Sequence, residues 1–305
     1  DFCLSRGLGD VYKRQKLLVS GGMGFIGSHL VEVLAQKNEL FCLIQHKNKA
    51  KSHQNVEWVV QDLGKSIDEK ELPDRIDAII HLAQSRHYRE FPEKIWDIFH
   101  VNVQGTLSLL EYGRKRKIQK FIYASSGGIY GYSYEKFIET DTTNPINFYL
   151  TSKYCSELLI GNYTPFFHTV VFRFFFVYGP KQKGMLIPRL IENIKKGEPI
   201  VIYGKTGVKL NPIHVKDAIK AFSPALETPV SGVFNIAGDE VVSIKELSER
   251  IGDLVGKVPL FVYEKSNIPG DIIGDNSWMK TVLGVFPTIS LKTGISEMIQ
   301  LSEKD

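Results

Sequence analysis

From Lys16 onward, short aliphatic runs alternate with longer segments whose apolar residues recur at helical spacing. This alternation predicts an α/β fold, a doubly wound parallel (Rossmann) sheet with a smaller α/β substrate lobe. Residues 78–82 are apolar on both alternating faces, which indicates an interior strand covered by helices on both sides. The predicted strands of the first half are 16–20, 40–44, 56–61, 78–82, 120–125 and 169–175, and the predicted helices are 24–36, 95–116 and 147–161.

Composition excludes several function classes. Of the 305 residues, 43% are hydrophobic and 24% are charged, as in an ordinary globular protein. The 38 basic and 34 acidic side chains leave a formal charge of +4, too small for a nucleic-acid-binding surface. The most apolar stretch, 169–178, contains Arg173 and has about half of the ~20 residues that a membrane helix needs. We therefore expect a small-molecule substrate, with neither nucleic acid nor membrane as a partner.

The cysteines favour a reducing compartment. Cys3, Cys42 and Cys155 are odd in number, far apart, and lack the spacing of a zinc site, so no metal is expected. Residues 1–15 contain charges throughout and no apolar core, unlike a secretory signal peptide. Because they also belong to no periodic element, we interpret them as a disordered or extraneous tail. The expected location is cytoplasmic.

A glycine-rich loop follows the first predicted strand directly. Residues 20–30 read SGGMGFIGSHL, and Gly21, Gly24 and Gly27 lie at the junction between the first predicted strand and the first predicted helix. The first glycine permits a tight turn, the second lets the backbone approach a pyrophosphate, and the third lets the helix pack on the sheet. The helix N-terminus presents free N–H groups to the phosphates. Three glycines are often only a turn, but the flanking strand and helix predict dinucleotide binding here, with Phe25 and Ile26 also in contact.

The residues after the second predicted strand bear on the choice between NAD and NADP. An acid about 20 residues beyond the glycines typically binds the adenosine ribose of NAD. This chain has Gln45, His46 and Lys47 there instead, so Lys47 or His46 could lie near a 2′-phosphate, and NADP is favoured over NAD. The alternative is a solvated basic loop. Asp62, after the third strand, is placed either to bind adenine or to lie free on an exposed loop.

A second motif supplies acid-base chemistry. Tyr149 and Lys153 are four residues apart and therefore share one face of a predicted helix. A phenol is a poor base at neutral pH, but a neighbouring ammonium and an oxidised nicotinamide favour the phenolate. Ser126 ends the fifth predicted strand, at the sheet edge where such folds bind ligands. Alone, Y-x-x-x-K is often a surface pair, but after the glycine loop and the strand-end serine the combination is specific.

Together these motifs resemble the extended short-chain dehydrogenases/reductases, the NAD-dependent epimerase/dehydratase family. The resemblance covers nearly the whole chain from Lys16. It implies that Tyr149 is the catalytic acid/base, that Lys153 binds the nicotinamide ribose, and that Ser126 polarises the substrate oxygen. The matching segments are SGGMGFIGSHL, IIHLAQ, NVQGTLSLLE, YASSGGIYG, YLTSK, FRFFFVYGP, NPIHVKDA and LGVFPTISLKTGI.

The resemblance also implies a cofactor site, an assembly and a domain division. Asp62 and Leu63 are expected to contact adenine, and Leu82 and Ala83 to pass beneath the cofactor. A homodimer is expected through helices 95–116 and 147–161. The NAD(P)-binding Rossmann domain is assigned to 16–179 with 211–238, and the substrate-binding lobe to 180–210 with 239–305.

The implied reaction is NAD(P)-dependent epimerisation of a nucleotide sugar through a transient keto intermediate. Gly127 and Gly128 stand where dehydratases and decarboxylases of the family carry acids, which favours an epimerase or a reductase. Arginines that many nucleotide-sugar relatives carry are missing from 208–212 and 267–268, and the polar loop 84–89 is a candidate for alternative contacts. Two other functions stay open: an NADPH-dependent sugar or carbonyl reductase, and a non-catalytic NAD(P)-binding sensor.

Overall fold

The computed structural model describes residues 14–46, 53–265 and 270–302, so Lys47 and most of the predicted tail lie outside the described residues. The strands are β1 (Lys16–Ser20), β2 (Glu39–Ile44), β3 (Val56–Val60), β4 (Ala78–His81), β5 (Lys120–Ser126), β6 (His168–Phe174), β7 (Val177–Tyr178), β8 (Ile200–Tyr203), β9 (Lys209–Leu210), β10 (Ile213–His214), β11 (Gly232–Ile236), β12 (Val242–Ser243) and β13 (Phe261–Glu264). The helices are α1 (Phe25–Leu34), α2 (Ile95–Phe99), α3 (Gly105–Arg116), α4 (Phe148–Gly161), α5 (Leu186–Lys196), α6 (Val215–Ala218), α7 (Phe222–Glu227), α8 (Ile244–Val255), α9 (Ser277–Leu283) and α10 (Leu291–Ser302).

Seven strands form the central sheet in the order β11-β6-β5-β4-β1-β2-β3. β1 pairs in parallel with both β2 and β4, β2 with β3, and β4 with β5. The chain leaves β1 towards β3 on one side and returns to β4 on the other, so a topological switch point lies between β1 and β4. Doubly wound sheets bind ligands at the carboxyl ends of the strands at such a point. The predicted α/β doubly wound fold is confirmed.

Internal contacts divide the chain into two compact units. The first holds the described residues up to Tyr123, with 155–170 and 225–231. The second holds 124–154, 171–224 and the described residues from 232 onward. This division follows packing, whereas the predicted division into a cofactor-binding domain and a substrate lobe follows function and stays a prediction.

The predicted helix 95–116 is interrupted. A π-helical turn at His100–Gln104 separates α2 from α3, and Asn102 lies in it. The carbonyl oxygen of Asn102 accepts the hydroxyls of Thr106 at 2.5 Å and of Ser156 at 2.8 Å. Hydroxyls that bond this carbonyl compete with the regular backbone ladder, which accounts for the widened turn. Amphipathic spacing alone does not reveal such an insertion.

The second unit has its own core and a buried carboxylate. Apolar faces of α5, α8 and α10 pack around β8. Ser243 and Glu246, whose spacing in the sequence predicts a capping box, form one at the start of α8. The Asp217 carboxylate is fully buried and accepts hydrogen bonds from the backbone N–H groups of Thr288 and Ile289 and from Lys220. Burial alone raises the pKa of Asp217, but these partners outweigh it and hold the pKa below its ordinary value of 3.8. No helix in the described part of the chain is long and apolar enough to cross a membrane.

Candidate active site

Each glycine of the loop between β1 and α1 has a different environment. Gly21 has a φ of +74°, and a Cβ placed on it would lie 2.6 Å from the backbone nitrogen of Ala83. A Cβ on Gly27 would lie 2.1 Å from the Gly21 carbonyl oxygen. Gly24 is exposed, and a Cβ there would meet only that same oxygen, at 3.1 Å. Gly21 therefore makes the turn, Gly27 lets α1 pack closely against the loop backbone, and Gly24 is the glycine whose backbone a ligand can approach.

A chain of hydrogen bonds connects this loop to β4. The amide of Ala83 donates to Ser20 Oγ at 3.3 Å, and Ser20 Oγ lies 2.6 Å from His81 Nδ1. His81 Nε2 lies 2.9 Å from the Thr106 hydroxyl, which donates its own proton to the Asn102 carbonyl. Thr106 therefore accepts from Nε2–H, and in the neutral ring this leaves Nδ1 to accept the Ser20 hydroxyl proton.

Sequence reasoning missed Ser20 and Thr106. Their signal was a polar residue at the end of the otherwise buried β1 and another at the buried face of α3. Ser20 bonds the amide of Ala83 directly, and Thr106 fixes the His81 ring at the end of the same strand. These contacts hold the backbone of Leu82 and Ala83 against Gly21, so three predicted cofactor residues lie together within the first unit.

The polar loop after β4 is fixed by a buried serine. The backbone N–H of Ser85 donates to Asn102 Oδ1 at 2.8 Å, and the Ser85 hydroxyl donates to Asp97. The amide of His87 donates to the same hydroxyl at 3.0 Å. Arg86, between these two anchored residues, is exposed. The loop therefore has a defined backbone that presents an arginine to solvent.

Two predicted adenosine contacts meet at the ends of β2 and β3. Gln45 Nε2 donates to Asp62 Oδ1 at 3.3 Å, and the same oxygen accepts the amide of Gly64 at 3.0 Å. The Leu63 side chain is buried, and its carbonyl faces Gly105. Any adenine contact by Leu63 therefore uses its backbone.

The predicted acid-base residues lie within the second unit. Lys153 is 2% exposed, and its Nζ donates to the Ala124 carbonyl at 2.8 Å and lies 6.0 Å from the centroid of the Tyr149 ring. The two side chains therefore share one face of α4, as the spacing predicts. Ser126, at the carboxyl end of β5, accepts the Gly128 amide on Oγ at 3.2 Å. That bond uses a lone pair of the hydroxyl and leaves its proton to be donated.

Comparison with known proteins now decides the family. The model of the NAD dependent epimerase/dehydratase family matches residues 17–237. This chain belongs to that family. Its relatives include a putative UDP-glucose 4-epimerase from Methanocaldococcus jannaschii, 31% identical over 297 residues, which span 93% of this chain and 97% of that protein.

Other similar proteins differ in reaction. The UDP-N-acetyl-alpha-D-glucosaminuronate decarboxylase of Bacillus cytotoxicus is 28% identical, over 94% of this chain and 97% of its own. Among solved structures, the UDP-glucuronic acid 4-epimerase from Bacillus cereus, in complex with UDP-glucuronic acid and NAD, aligns with a TM-score of 0.85. It is 27% identical, and the alignment covers 95% of this chain and 99% of that one. Family membership therefore leaves the reaction type to the site itself.

The surroundings of Ser126 decide which other side chains of this epimerase/dehydratase-family chain can transfer protons. Tyr130 ends the turn after Ser126, donates to Asn235 Oδ1 at 2.9 Å and accepts from Arg173 at 2.6 Å. Burial raises the pKa of Tyr130 to about 12, so this phenol stays protonated. Gly127 and Gly128 contribute no side chain. Tyr130 is therefore unsuited to take a proton from a substrate, and Tyr149 stays the predicted acid/base.

Lys209 occupies the segment where many nucleotide-sugar relatives have an arginine. Its side chain is exposed, and its backbone N–H donates to Asp271 Oδ1 at 2.7 Å. The second such segment, 267–268, lies outside the described residues. A single exposed ammonium offers an anion a point charge, without the two parallel hydrogen bonds of a guanidinium.

Proposed function

We propose that this protein is an NAD(P)-dependent epimerase of a UDP-sugar that acts at a ring hydroxyl through a transient keto sugar. One observation carries the proposal: hydrogen bonds fix Ser126 and Lys153, the Lys153 ammonium lies 6.0 Å from the Tyr149 ring, and the two residues after Ser126 are glycines. The 4-epimerases among its relatives and structural neighbours support the UDP-sugar and suggest carbon 4.

The glycine loop fits a dinucleotide. A pyrophosphate needs an open backbone at a helix N-terminus, and Gly24 provides it as the N-cap of α1. We assign the pyrophosphate to Gly21, Gly24, Phe25, Ile26 and Gly27, the adenosine to Gln45, Lys47, Asp62 and Leu63, and the nicotinamide half to Leu82, Ala83, Tyr149 and Lys153.

The nicotinamide, when bound beside these residues, would supply the acceptor for a hydride from a sugar carbon and the donor for its return. Tyr149 takes the proton of the hydroxyl on that carbon and gives it back when the ketone is reduced. Lys153 favours the phenolate of Tyr149 by its positive charge. The Ser126 hydroxyl donates a hydrogen bond to the reacting oxygen and holds that oxygen towards Tyr149. Return of the hydride to the opposite face of the keto sugar produces the epimer.

The same residues disfavour dehydration and decarboxylation. Expulsion of water from a sugar ring needs an acid and a base beside the strand-end hydroxyl, and Gly127 and Gly128 supply neither. The decarboxylase of Bacillus cytotoxicus is nevertheless as similar as the epimerases. Products with an altered mass would assign this chain to one of those reactions.

Turnover without added cofactor tests the epimerase against a reductase. An epimerase regenerates its nicotinamide in each cycle, so purified protein that retains its nucleotide interconverts UDP-sugars alone. A reductase consumes one reduced nicotinamide for each product. Product formation that stops without added NADPH would contradict the proposal. Absence of turnover with any nucleotide sugar would favour the non-catalytic sensor.

The preference for NADP stays a separate proposal. Its support is the missing acid after β2, where Gln45 and His46 are exposed. The Asp62 carboxylate beside Gln45 opposes it, because it repels a 2′-phosphate, and the Bacillus cereus neighbour holds NAD. Titration of nucleotide-free protein with both cofactors measures the preference, and tighter binding of NAD would overturn it.

We also propose a homodimer through α2, α3 and α4. These helices expose four apolar side chains of the first unit: Trp96 at 69%, Phe99 at 40%, Leu107 at 40% and Leu158 at 54%. Burial of such a surface against a second copy is favourable. Light scattering at micromolar protein should give twice the chain mass, and Leu107→Lys should lower it. A monomer mass for the wild-type protein would refute the dimer. The cytoplasmic location is a further proposal, supported by the free thiols of Cys42 and Cys155.

A further inference from the structure

The ring of Phe175 lies between the backbones of two glycines. A Cβ on Gly127 would lie 2.5 Å from Cε2 and Cζ of Phe175, and a Cβ on Gly274 would lie 2.7 Å from Cε2. Both distances are far below ordinary contact, so the ring fits only because neither position has a side chain. We call Phe175, Gly127 and Gly274 the glycine clamp. Phe175 is 1% exposed.

Gly274 and the backbone of Phe175 are fixed from outside the clamp. Gly274 donates its N–H to Asn211 Oδ1 at 3.0 Å, and its carbonyl accepts from Asn211 Nδ2 at 2.8 Å. The backbone N–H of Phe175 donates to the Ile236 carbonyl at 2.9 Å, immediately after β6. The ring therefore has a rigid support on the side away from Gly127.

On its other side, the clamp supports the turn that orients Ser126. Gly127 begins a 3-10 turn that ends at Tyr130, and Ser126 is its N-cap. The Ser126 side chain is held by the Gly128 amide, so its rotamer depends on the backbone of this turn. The Tyr130 ring also stacks against Phe175, at 6.2 Å between centroids. Phe175 thus contacts both ends of the turn.

We propose that Phe175 is a positioning residue for Ser126. Its ring holds the turn after β5 in the position that lets the Ser126 hydroxyl contact the reacting oxygen. The proposal rests on the proposed function, because it assigns Ser126 to that oxygen. It also explains why residue 127 is a glycine, apart from the absence of an acid there, because any side chain at this position would displace the Phe175 ring. An acid at this position, as dehydratases of the family carry, requires a smaller residue at 175.

Kinetics of Phe175→Leu test the catalytic part. Loss of one preorganised donor typically costs about 10²–10³-fold in kcat, so Ser126→Ala should lower kcat by about 10²-fold. Phe175→Leu should lower kcat by about 10-fold with little change in KM, because misplacing such a donor weakens transition-state binding. In the Ser126→Ala background, Phe175→Leu should have less than a twofold effect.

Phe172→Leu is the matched control. Phe172 lies on β6 and is fully buried like Phe175, but the rings it contacts are those of Phe174, Phe222 and Phe234, and none of these residues belongs to the turn. It should destabilise the protein to a similar extent and leave kcat nearly unchanged. Equal losses of kcat in Phe172→Leu and Phe175→Leu would overturn the positioning role. So would an effect of Phe175→Leu on kcat that is as large in the Ser126→Ala background as in the wild type.

A stability cycle tests the clamp without any turnover. Gly127→Ala should lower the melting temperature in the wild-type background and lower it less when Phe175 is leucine, which lacks the obstructing Cε2 and Cζ atoms. Strict additivity of the two changes would overturn the clamp. If the cycle shows this coupling while the protein converts no nucleotide sugar, the clamp stands and the proposed function fails.

Discussion

Replacement of Gly27 by alanine tests the glycine loop most severely. The new Cβ would lie 2.1 Å from the Gly21 carbonyl oxygen and 2.8 Å from the Gly22 Cα. The shorter distance is about 1.4 Å below a usual contact of about 3.5 Å. All the nearest obstructing atoms are backbone, so no side-chain rotation relieves the clash, and the loop or α1 must move. The Gly21 oxygen also accepts the amide of Gly24, so the movement disturbs the proposed pyrophosphate site directly.

The expected loss follows from that displacement. Misplacement by about 1 Å commonly costs about 10²-fold in a preorganised site, so we expect Gly27→Ala to weaken NAD(P) binding by about that factor. Overpacking of this kind also destabilises by about 1–3 kcal/mol, which should lower the melting temperature by several degrees.

Isothermal titration of nucleotide-free protein with NAD and NADP measures the binding, and thermal unfolding measures the stability. Gly161→Ala is the matched control, because Gly161 is exposed at the end of α4 with no atom within 4 Å of a new Cβ. It should bind the cofactor as the wild type does. If Gly27→Ala also binds within twofold of the wild type and melts at the same temperature, the assigned role of the loop is wrong.

Three further predictions concern single side chains. Tyr149→Phe should lower kcat by about 10²–10⁴-fold and leave nucleotide binding close to unchanged, because only the oxygen that carries the proton is removed; equal activity in steady-state assays would disprove the acid/base role. Lys153→Met should lower kcat and also weaken cofactor binding in titrations, because it removes the ammonium beside the Tyr149 ring; unchanged values of both would disprove its role. Asp217→Asn should lower the free energy of unfolding by about 2–4 kcal/mol at pH 7, since it weakens a buried charged network. The pKa of Asp217 is lowered in the folded state, so its ionised form stabilises the fold above the ordinary pKa of 3.8, and this stabilisation is lost as the pH falls through the folded-state pKa. In chemical denaturation, the difference in free energy of unfolding between the wild type and Asp217→Asn should therefore shrink below about pH 4.

Local signals predicted the parts of the fold that depend on near neighbours in the chain. β1, the glycine loop and α1 follow one another without interruption. The environment of Gly21 agrees with the turn assigned from spacing, and Gly27 allows a close approach of α1, although to the loop backbone at Gly21 and Gly22 and not to the sheet. The pairing of Tyr149 with Lys153 depends only on helical periodicity. The capping box at Ser243 is a four-residue pattern.

Contacts between distant segments could not be predicted in this way. The contacts of His81 with Ser20 and with Thr106 join residues 61 and 25 positions apart, and the motifs that contain these residues do not indicate that the three side chains meet. The fit of Phe175 against Gly127 and Gly274 depends on three separate segments. The π-helical turn at Asn102 arises from hydroxyls on other turns and helices, which apolar spacing does not report.

The proposed reaction oxidises a UDP-sugar at one carbon and reduces the same carbon from the other face. Proton NMR of purified protein with UDP-glucuronic acid, UDP-glucose or UDP-N-acetylglucosamine in deuterium oxide, without added cofactor, tests it directly. We predict that at least one of these sugars equilibrates with its 4-epimer, with unchanged mass and with protium retained at carbon 4, because the hydride returns to the carbon it left. Deuterium at that carbon, a product that has lost water or carbon dioxide, or no epimer from any of the three would contradict the account.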